Sequence, residues 1–377
     1  MNLLVCLALT VLTLFSSKLI FALENQQKML FEGGRFPNLI SITEEEKLVA
    51  IFGSSDGARV RFSDDRGANW SNEIHFGDGI FSGGTIYSPS RNKLYMFTES
   101  KHPPAKSKVH ITDPGFEDWE VSEMPSLVDK QGNEVSLHMS DTGIEILQGV
   151  NAGRLIRPAR VYVKGRPKDE YNTAIYSDDG KEWKVGDRFP VLGSGEGAIV
   201  ELGNGALLYS SRRHAFKDVE DFSSYRWFAI SRDGGETWIL PRQAVVPDGP
   251  RYRGIEGKGS SHRNHFGLMG GLDYIEGCGH SRAILYSNTD TDSHERINLA
   301  VWSSTDLGVN WSPSKLVTNS YSAYSTIAVL PSRNRDEDSV FFLYEGGVLK
   351  EYEGGFLTAF SFNELGLTAD KFMPCNK

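Results

Sequence analysis

One eight-residue pattern recurs along this chain and limits what it can fold into. Ser63-Asp64-Asp65-Arg66-Gly67-Ala68-Asn69-Trp70 has the form S-x-D-x-G-x-x-W. Ser231-Arg232-Asp233-Gly234-Gly235-Glu236-Thr237-Trp238 and Ser304-Thr305-Asp306-Leu307-Gly308-Val309-Asn310-Trp311 repeat it without a fault. Ser177-Asp178-Asp179-Gly180-Lys181-Glu182-Trp183 is one residue short, and Thr112-Asp113-Pro114-Gly115 leading to Trp119 has the form of a decayed fifth copy. Five of the seven tryptophans end such a unit, so the spacing is not chance. The residue types describe a tight hairpin: the Asp carboxylate accepts from loop N–H groups, Gly supplies a positive φ, and Trp packs under the turn.

Strand-like runs precede the clear copies at 58–62, 173–176, 227–230 and 298–302. Further short β-rich runs lie at 93–97, 198–202, 206–209, 283–286, 327–330 and 340–344. Almost nothing holds a helical period beyond two turns. Short strands at regular spacing, with one hairpin signature per unit, predict an all-β chain folded as a six-bladed β-propeller. The Asp residues of the repeat then belong to the scaffold. Asn69-Trp70-Ser71 and Asn310-Trp311-Ser312 match the glycosylation sequon, but both sit inside the turn itself.

Residues 3–22 are apolar or small apart from Lys18 and a few hydroxyl side chains, and Leu23-Glu24-Asn25-Gln26 turns polar at once. That is the pattern of a signal peptide over 1–22, its clean apolar run being short for a membrane span of ~20 residues. The expectation is a secreted, extracellular protein or one held in another secretory-pathway compartment, with 23–377 as one catalytic domain. The net charge of −9 argues against a nucleic-acid surface. Nothing calls for membrane contact, and a monomer is expected. Loss of the leader removes Cys6 and leaves Cys278 and Cys375, which fits either one disulfide or two free thiols. No Cys/His spacing suits a metal, so none is expected.

With Gly34-Arg35-Phe36-Pro37-Asn38 near its start, the repeat-bearing chain resembles the exo-sialidase superfamily from Arg35 to Glu345. The resemblance implies a site for a sugar whose anomeric carbon bears a carboxylate. Fixed arginines suit such a group, because the planar fork meets a carboxylate bidentately and keeps its proton. Arg35 resembles the first of the family's three, Arg212 in Tyr209-Ser210-Ser211-Arg212 the second, and Arg296 in Arg296-Ile297-Asn298-Leu299 the third. Arg213 competes in register with Arg212. A carboxylate nucleophile would be repelled by the substrate's own charge, and sialidases use a tyrosine instead. Tyr324 in Ser322-Ala323-Tyr324-Ser325 resembles it, with Tyr321 as rival, and Glu196 in Gly195-Glu196-Gly197 resembles its base.

Asp56, in Gly53-Ser54-Ser55-Asp56-Gly57, occupies the position of the family's general acid. Its loop is several residues shorter than the family's usual one and lacks the arginine that often precedes the acid. Glu345 in Leu343-Tyr344-Glu345-Gly346 resembles the carboxylate that holds the first arginine. His102, Arg157, His214, His262 and His265 are candidates for the rim. The resemblance implies retaining hydrolysis of sialylated glycans without a cofactor. Two other classes stay open: a trans-sialidase or hydrolase of a related ulosonic acid, and a glycan-binding propeller without activity.

Overall fold

The computed structural model describes residues 27–103, 105–203, 205–213, 215, 226–243, 271–276, 282–290, 296–312, 315–332, 337 and 339–367. Residues 1–26, Cys278 and Cys375, and His214, His262 and His265 lie outside these residues.

The described chain is all-β apart from two single 3₁₀ turns, Thr43–Glu45 and Pro167–Asp169. The strands form four antiparallel-rich sheets, of nine, four, four and seven strands in chain order. The two four-stranded sheets are plain meanders, for example Gly197–Glu201, Leu207–Ser211, Trp227–Ser231 and Ile239–Gln243 in succession. The seven-stranded sheet runs from Leu272–Glu276 to Gly354–Phe360 and then takes Lys28–Glu32, the first strand of the chain, as its edge. The first and last described strands are therefore joined by a β-ladder.

Several strands are buried at every position, Leu155–Val161, Tyr171–Ser177 and Val340–Gly347 among them, because successive side chains point to opposite faces and both faces are covered. In Val340–Gly347, Val340, Phe342 and Tyr344 enter one hydrophobic layer while Phe341 and Leu343 enter the next. In Lys93–Glu99, Leu94 and Met96 face one layer and Tyr95 and Phe97 another. Six such layers stand between successive groups of strands, the last joining late strands to early ones through Phe341, Leu343, Leu48 and Phe52. Each phenylalanine buried in this way contributes roughly 1.5–3 kcal/mol. A cavity of about 170 Å³ is lined by Ile40, Tyr87, Ile144, Ile199, Leu272 and Ile327, which come from six different strands.

The recurrent turns share one hydrogen-bond scheme. Asp65 accepts from the Asn69 backbone at 2.8 Å and from Ser63 Oγ at 2.8 Å, while Gly67, at φ 88°, donates its N–H to Ser63 Oγ. The Trp70 indole donates to the Gly67 carbonyl at 2.9 Å. Asp233 and Asp306 repeat the contacts four residues on, to Thr237 and Asn310, at 2.9 and 2.7 Å. Asp179, in the shortened copy, takes the N–H groups of Lys181 and Glu182. The decayed copy keeps the device, with Asp113 accepting from Gly115, Glu117 and Asp118. In both sequons the Asn side-chain amide is itself tied to the turn's Asp, at 2.7 Å.

These bonds hold the Asp233 carboxyl below its ordinary value, even against the burial that would raise it. A depressed native value adds stability above the unfolded Asp value of about 3.9 and loses it as pH falls through the native one. Asp233→Ala is expected to cost about 1 kcal/mol at pH 7, discounted because the group is mostly solvated. Urea unfolding checks this, and the gap to wild type should close in acid. A gap that persisted unchanged in acid would refute the turn's charge-assisted bonding.

Candidate active site

Two irregularities in the ladders aim the side chains of this site. The long strand Lys315–Val329 pairs with Ile297–Ser304 through its first part and with Val340–Gly347 through its second. Between Ser322 and Ser325 its register shifts, and Tyr324 sits in that break. At Arg35–Ile42 the register shifts between Arg35 and Pro37, where Phe36 has φ 65°. Extra residues at such breaks turn side chains out of the regular alternation. Gly34 lets this strand approach its neighbour, since a Cβ there would lie 2.2 Å from the Gly53 carbonyl oxygen.

Tyr324 is buried and donates its hydroxyl to Glu196 Oε1 at 2.7 Å. Glu196, fully buried just before Gly197–Glu201, receives Arg212 Nη1 on its other oxygen at 2.6 Å. Backbone bonds between Gly195 and Arg212, and between Arg212 and Glu196, extend that ladder and set the two side chains side by side. Arg35 forks onto Glu345, Nε to Oε1 at 3.0 Å and Nη2 to Oε2 at 3.1 Å. Glu345, also fully buried, accepts the backbone N–H groups of Phe36 and Tyr324 as well. The Arg35 guanidinium lies 5.0 Å from the centre of the Tyr324 ring, and that of Arg296 lies 5.8 Å away. Arg296 donates to the Tyr352 hydroxyl at 2.5 Å, and Arg35 stacks on the Tyr352 ring at 4.4 Å.

Burial, reinforced by the charge of Glu196, pushes the Tyr324 phenol well above its ordinary value, although Arg212 and Arg35 oppose it. The hydroxyl is therefore protonated at rest, and any attack by its oxygen needs Glu196 to take the proton. Burial raises the Glu345 carboxyl and Arg35 pulls it back. For the two paired arginines burial alone would lower the value, but Glu345 and Glu196 outweigh it and both remain charged. Three guanidiniums against two carboxylates leave the cluster with a surplus positive charge beside the bonded Tyr324 hydroxyl. Such a site can hold an anionic substrate while the tyrosine oxygen attacks it.

Five of the residues singled out from the sequence thus meet directly: Arg35, Glu196, Arg212, Tyr324 and Glu345. Arg296 joins them through Tyr352. Asp56 does not. It sits exposed on the two-residue turn between Lys47–Ser54 and Gly57–Ser63, and its only hydrogen bond among the described residues comes from Ser54 Oγ at 3.0 Å. Tyr321, the rival nucleophile, pairs regularly with Ile297 and Gly347. Arg213 turns away to the Leu192 carbonyl at 3.0 Å. Arg157 is corrected from rim candidate to internal strut: it is fully buried and donates to Gly83, Leu137, Pro158 and the Ser140 hydroxyl. His102 is exposed, its ring edge-on to buried His138.

Sequence reasoning missed three contacts. Met139 places its sulfur 3.7 Å from the Tyr324 hydroxyl, Tyr352 bridges two arginines, and Phe36 packs on the Tyr324 ring. Only the adjacency of Phe36 to Arg35 offered a signal.

Fold and site together define an all-β protein with a tyrosine–glutamate pair under an arginine cluster. No family model matches the chain. The chain is 27% identical over 237 residues to a sialidase of Micromonospora viridifaciens, covering 60% of this chain and 32% of that protein. It thus spans about a third of that relative's length. The Trypanosoma rangeli sialidase in complex with sialic acid matches with a TM-score of 0.63 at 16% identity, over 90% of this chain and 56% of that one. The intramolecular trans-sialidase from Ruminococcus gnavus in complex with oseltamivir carboxylate gives 0.62 at 14% identity, over 89% and 95%. The fold is that of the sialidases.

Proposed function

We propose that the protein is a retaining exo-α-sialidase on a six-bladed β-propeller, acting on sialylated glycans. The observation that carries this is the Tyr324 hydroxyl bonded to Glu196 beneath the guanidiniums of Arg35 and Arg296. Six hydrophobic layers, a cavity lined by six strands, and the ladder joining the first and last described strands support the propeller. In the same reading residues 1–22 are an export signal, and 23–377 work outside the cytosol as a monomer.

Arg35, Arg212 and Arg296 clamp the sugar's carboxylate, with Glu345 holding Arg35 in place. Tyr324 attacks the anomeric carbon as Glu196 takes its proton, giving a glycosyl-tyrosine. A neutral phenol avoids the repulsion that a carboxylate nucleophile would meet from the substrate. Asp56 protonates the departing glycosidic oxygen and then deprotonates the water that releases the sugar. Its turn belongs to the strand that pairs with Arg35–Ile42, which brings it to the same end of the sheet.

Release of free sialic acid from sialyllactose tests the reading, and a folded chain that turns over no sialoside would end it. A rearranged or transferred sugar in place of free sialic acid would assign the intramolecular or intermolecular transferase instead. Asp56→Ala is expected to slow sialyllactose hydrolysis by roughly 10²–10⁴-fold but an activated aryl sialoside far less, because a good leaving group needs no proton. Equal losses on both substrates would remove Asp56 from the acid role.

A further inference from the structure

Glu99 ends the strand Lys93–Glu99, is wholly buried, and has no part in the chemistry above. One of its oxygens, Oε1, accepts from Ser136 Oγ at 2.9 Å and from the Leu137 backbone at 3.0 Å. The other lies 3.7 Å from Nδ1 of His138, and the Ser82 hydroxyl also acts on this carboxyl. A single carboxyl thus addresses three consecutive residues. The fourth is Met139, whose sulfur meets the Tyr324 hydroxyl. The His138 ring stands edge-on to Phe36 at 5.5 Å, and Phe36 stacks on Tyr324 at 6.0 Å.

Met139 has φ 58°, a left-handed conformation that costs a non-glycine residue energy and persists only where the surroundings over-determine it. Arg157 supplies the other half of that constraint by taking the Leu137 carbonyl and the Ser140 hydroxyl. Segment 136–140 is therefore gripped through the Ser136 hydroxyl and the Leu137 N–H from one side and through its oxygens from the other. The segment is not itself a strand, and only isolated bridges tie its two ends to neighbouring backbone, Ser136 to Arg160 and Ser140 to Gly83 and Gly197, leaving 137–139 between them.

We propose that Glu99 is a positioning residue for the nucleophile: it fixes segment 136–139, and through Met139 and His138 it sets where the Tyr324 hydroxyl points. This rests on Tyr324 being the nucleophile. The side chain acts as an acceptor, so Glu99→Gln retains the essential grip through its amide oxygen, and its amide N–H can reach Nδ1 of His138. Glu99→Leu loses both. The arginine clamp is untouched by either change.

Steady-state kinetics of Glu99→Gln, Glu99→Leu and the milder Ser136→Ala on an aryl sialoside test this. The ¹³Cζ signal of Tyr324 in labelled protein, assigned by its absence in Tyr324→Phe, adds a readout that needs no turnover. Glu99→Leu is expected to lower kcat about tenfold to a hundredfold with KM within about twofold, as expected for a misplaced reacting group. Its Tyr324 signal should move. Glu99→Gln should match wild type in both, and Ser136→Ala should fall between. A folded Glu99→Leu with wild-type kcat and an unmoved Tyr324 signal would overturn the proposal, as would a Glu99→Gln as damaged as Glu99→Leu. If wild type turns over no sialoside yet the Tyr324 signal moves in Glu99→Leu and stays in Glu99→Gln, the positioning stands and the sialidase assignment falls.

Discussion

Tyr324→Phe is expected to cut the release of sialic acid from a fluorogenic aryl sialoside by roughly a thousandfold or more, the scale of losing a covalent nucleophile. The substitution removes one oxygen and little else. The ring keeps its place against Phe36 and under Arg35, so folding should survive. Glu196 loses the phenol at 2.7 Å but keeps Arg212 at 2.6 Å, so its buried charge stays paired. KM should change little, because the proposed arginine clamp is intact. The loss should appear equally on activated and natural substrates, unlike that of Asp56→Ala, since a missing nucleophile cannot be offset by a better leaving group. A variant that kept a tenth of wild-type activity would show that Tyr324 does not form the covalent bond.

The second large effect concerns stability as well as activity. Glu345→Ala deletes a fully buried carboxylate that receives two bonds from Arg35 and the N–H groups of Phe36 and Tyr324. Breaking a buried ion pair from one side leaves the other charge uncompensated, at a cost of 3–5 kcal/mol in closed sites, and about 3 kcal/mol is expected here. The lower end applies because the Arg35 side chain is 37% exposed and water can screen it in part. Both N–H groups belong to residues at ladder breaks, so their loss should loosen Arg35 and Tyr324 together, raising KM and lowering kcat. Urea unfolding and steady-state kinetics give the two readouts. Glu345→Gln, which keeps an acceptor for the Phe36 N–H while losing the charge, should be milder on both. Unchanged unfolding in Glu345→Ala would mean that Arg35 finds another counter-charge on its own.

The turns were legible residue by residue. Asp65 binds the backbone of Asn69 and Gly67 binds Ser63, all contacts within four positions, so the pattern S-x-D-x-G-x-x-W carries its own geometry. The strands were legible for a similar reason, since alternation and β-branched or aromatic runs act over two to eight residues. Of the site, the arginines, Tyr324, Glu196 and Glu345 were reachable only through resemblance, because nothing near Tyr324 announces Glu196, 128 positions away, or near Arg35 announces Glu345, 310 positions away.

Three features belonged to the tertiary structure alone. Arg157 sits in Leu155-Ile156-Arg157-Pro158, where nothing nearby in the sequence separates a buried arginine from a surface one, and only the packing of Leu155–Val161 between two layers encloses it. Met139 and Glu99 carry no motif, and they matter because segment 136–140 passes beside Tyr324 in a backbone conformation its residues do not favour. Asp56 shows the converse, a recognisable position whose side chain bonds to Ser54 and not to the cluster. By itself, then, the sequence determined the hairpins, the strands and their all-β character, each of which rests on forces between near neighbours. The meeting of Tyr324, Glu196 and the arginines was decided by how sheets far apart in the chain are brought together. That depends on hydrophobic layers contributed by many strands at once, and no local stretch of residues encodes it.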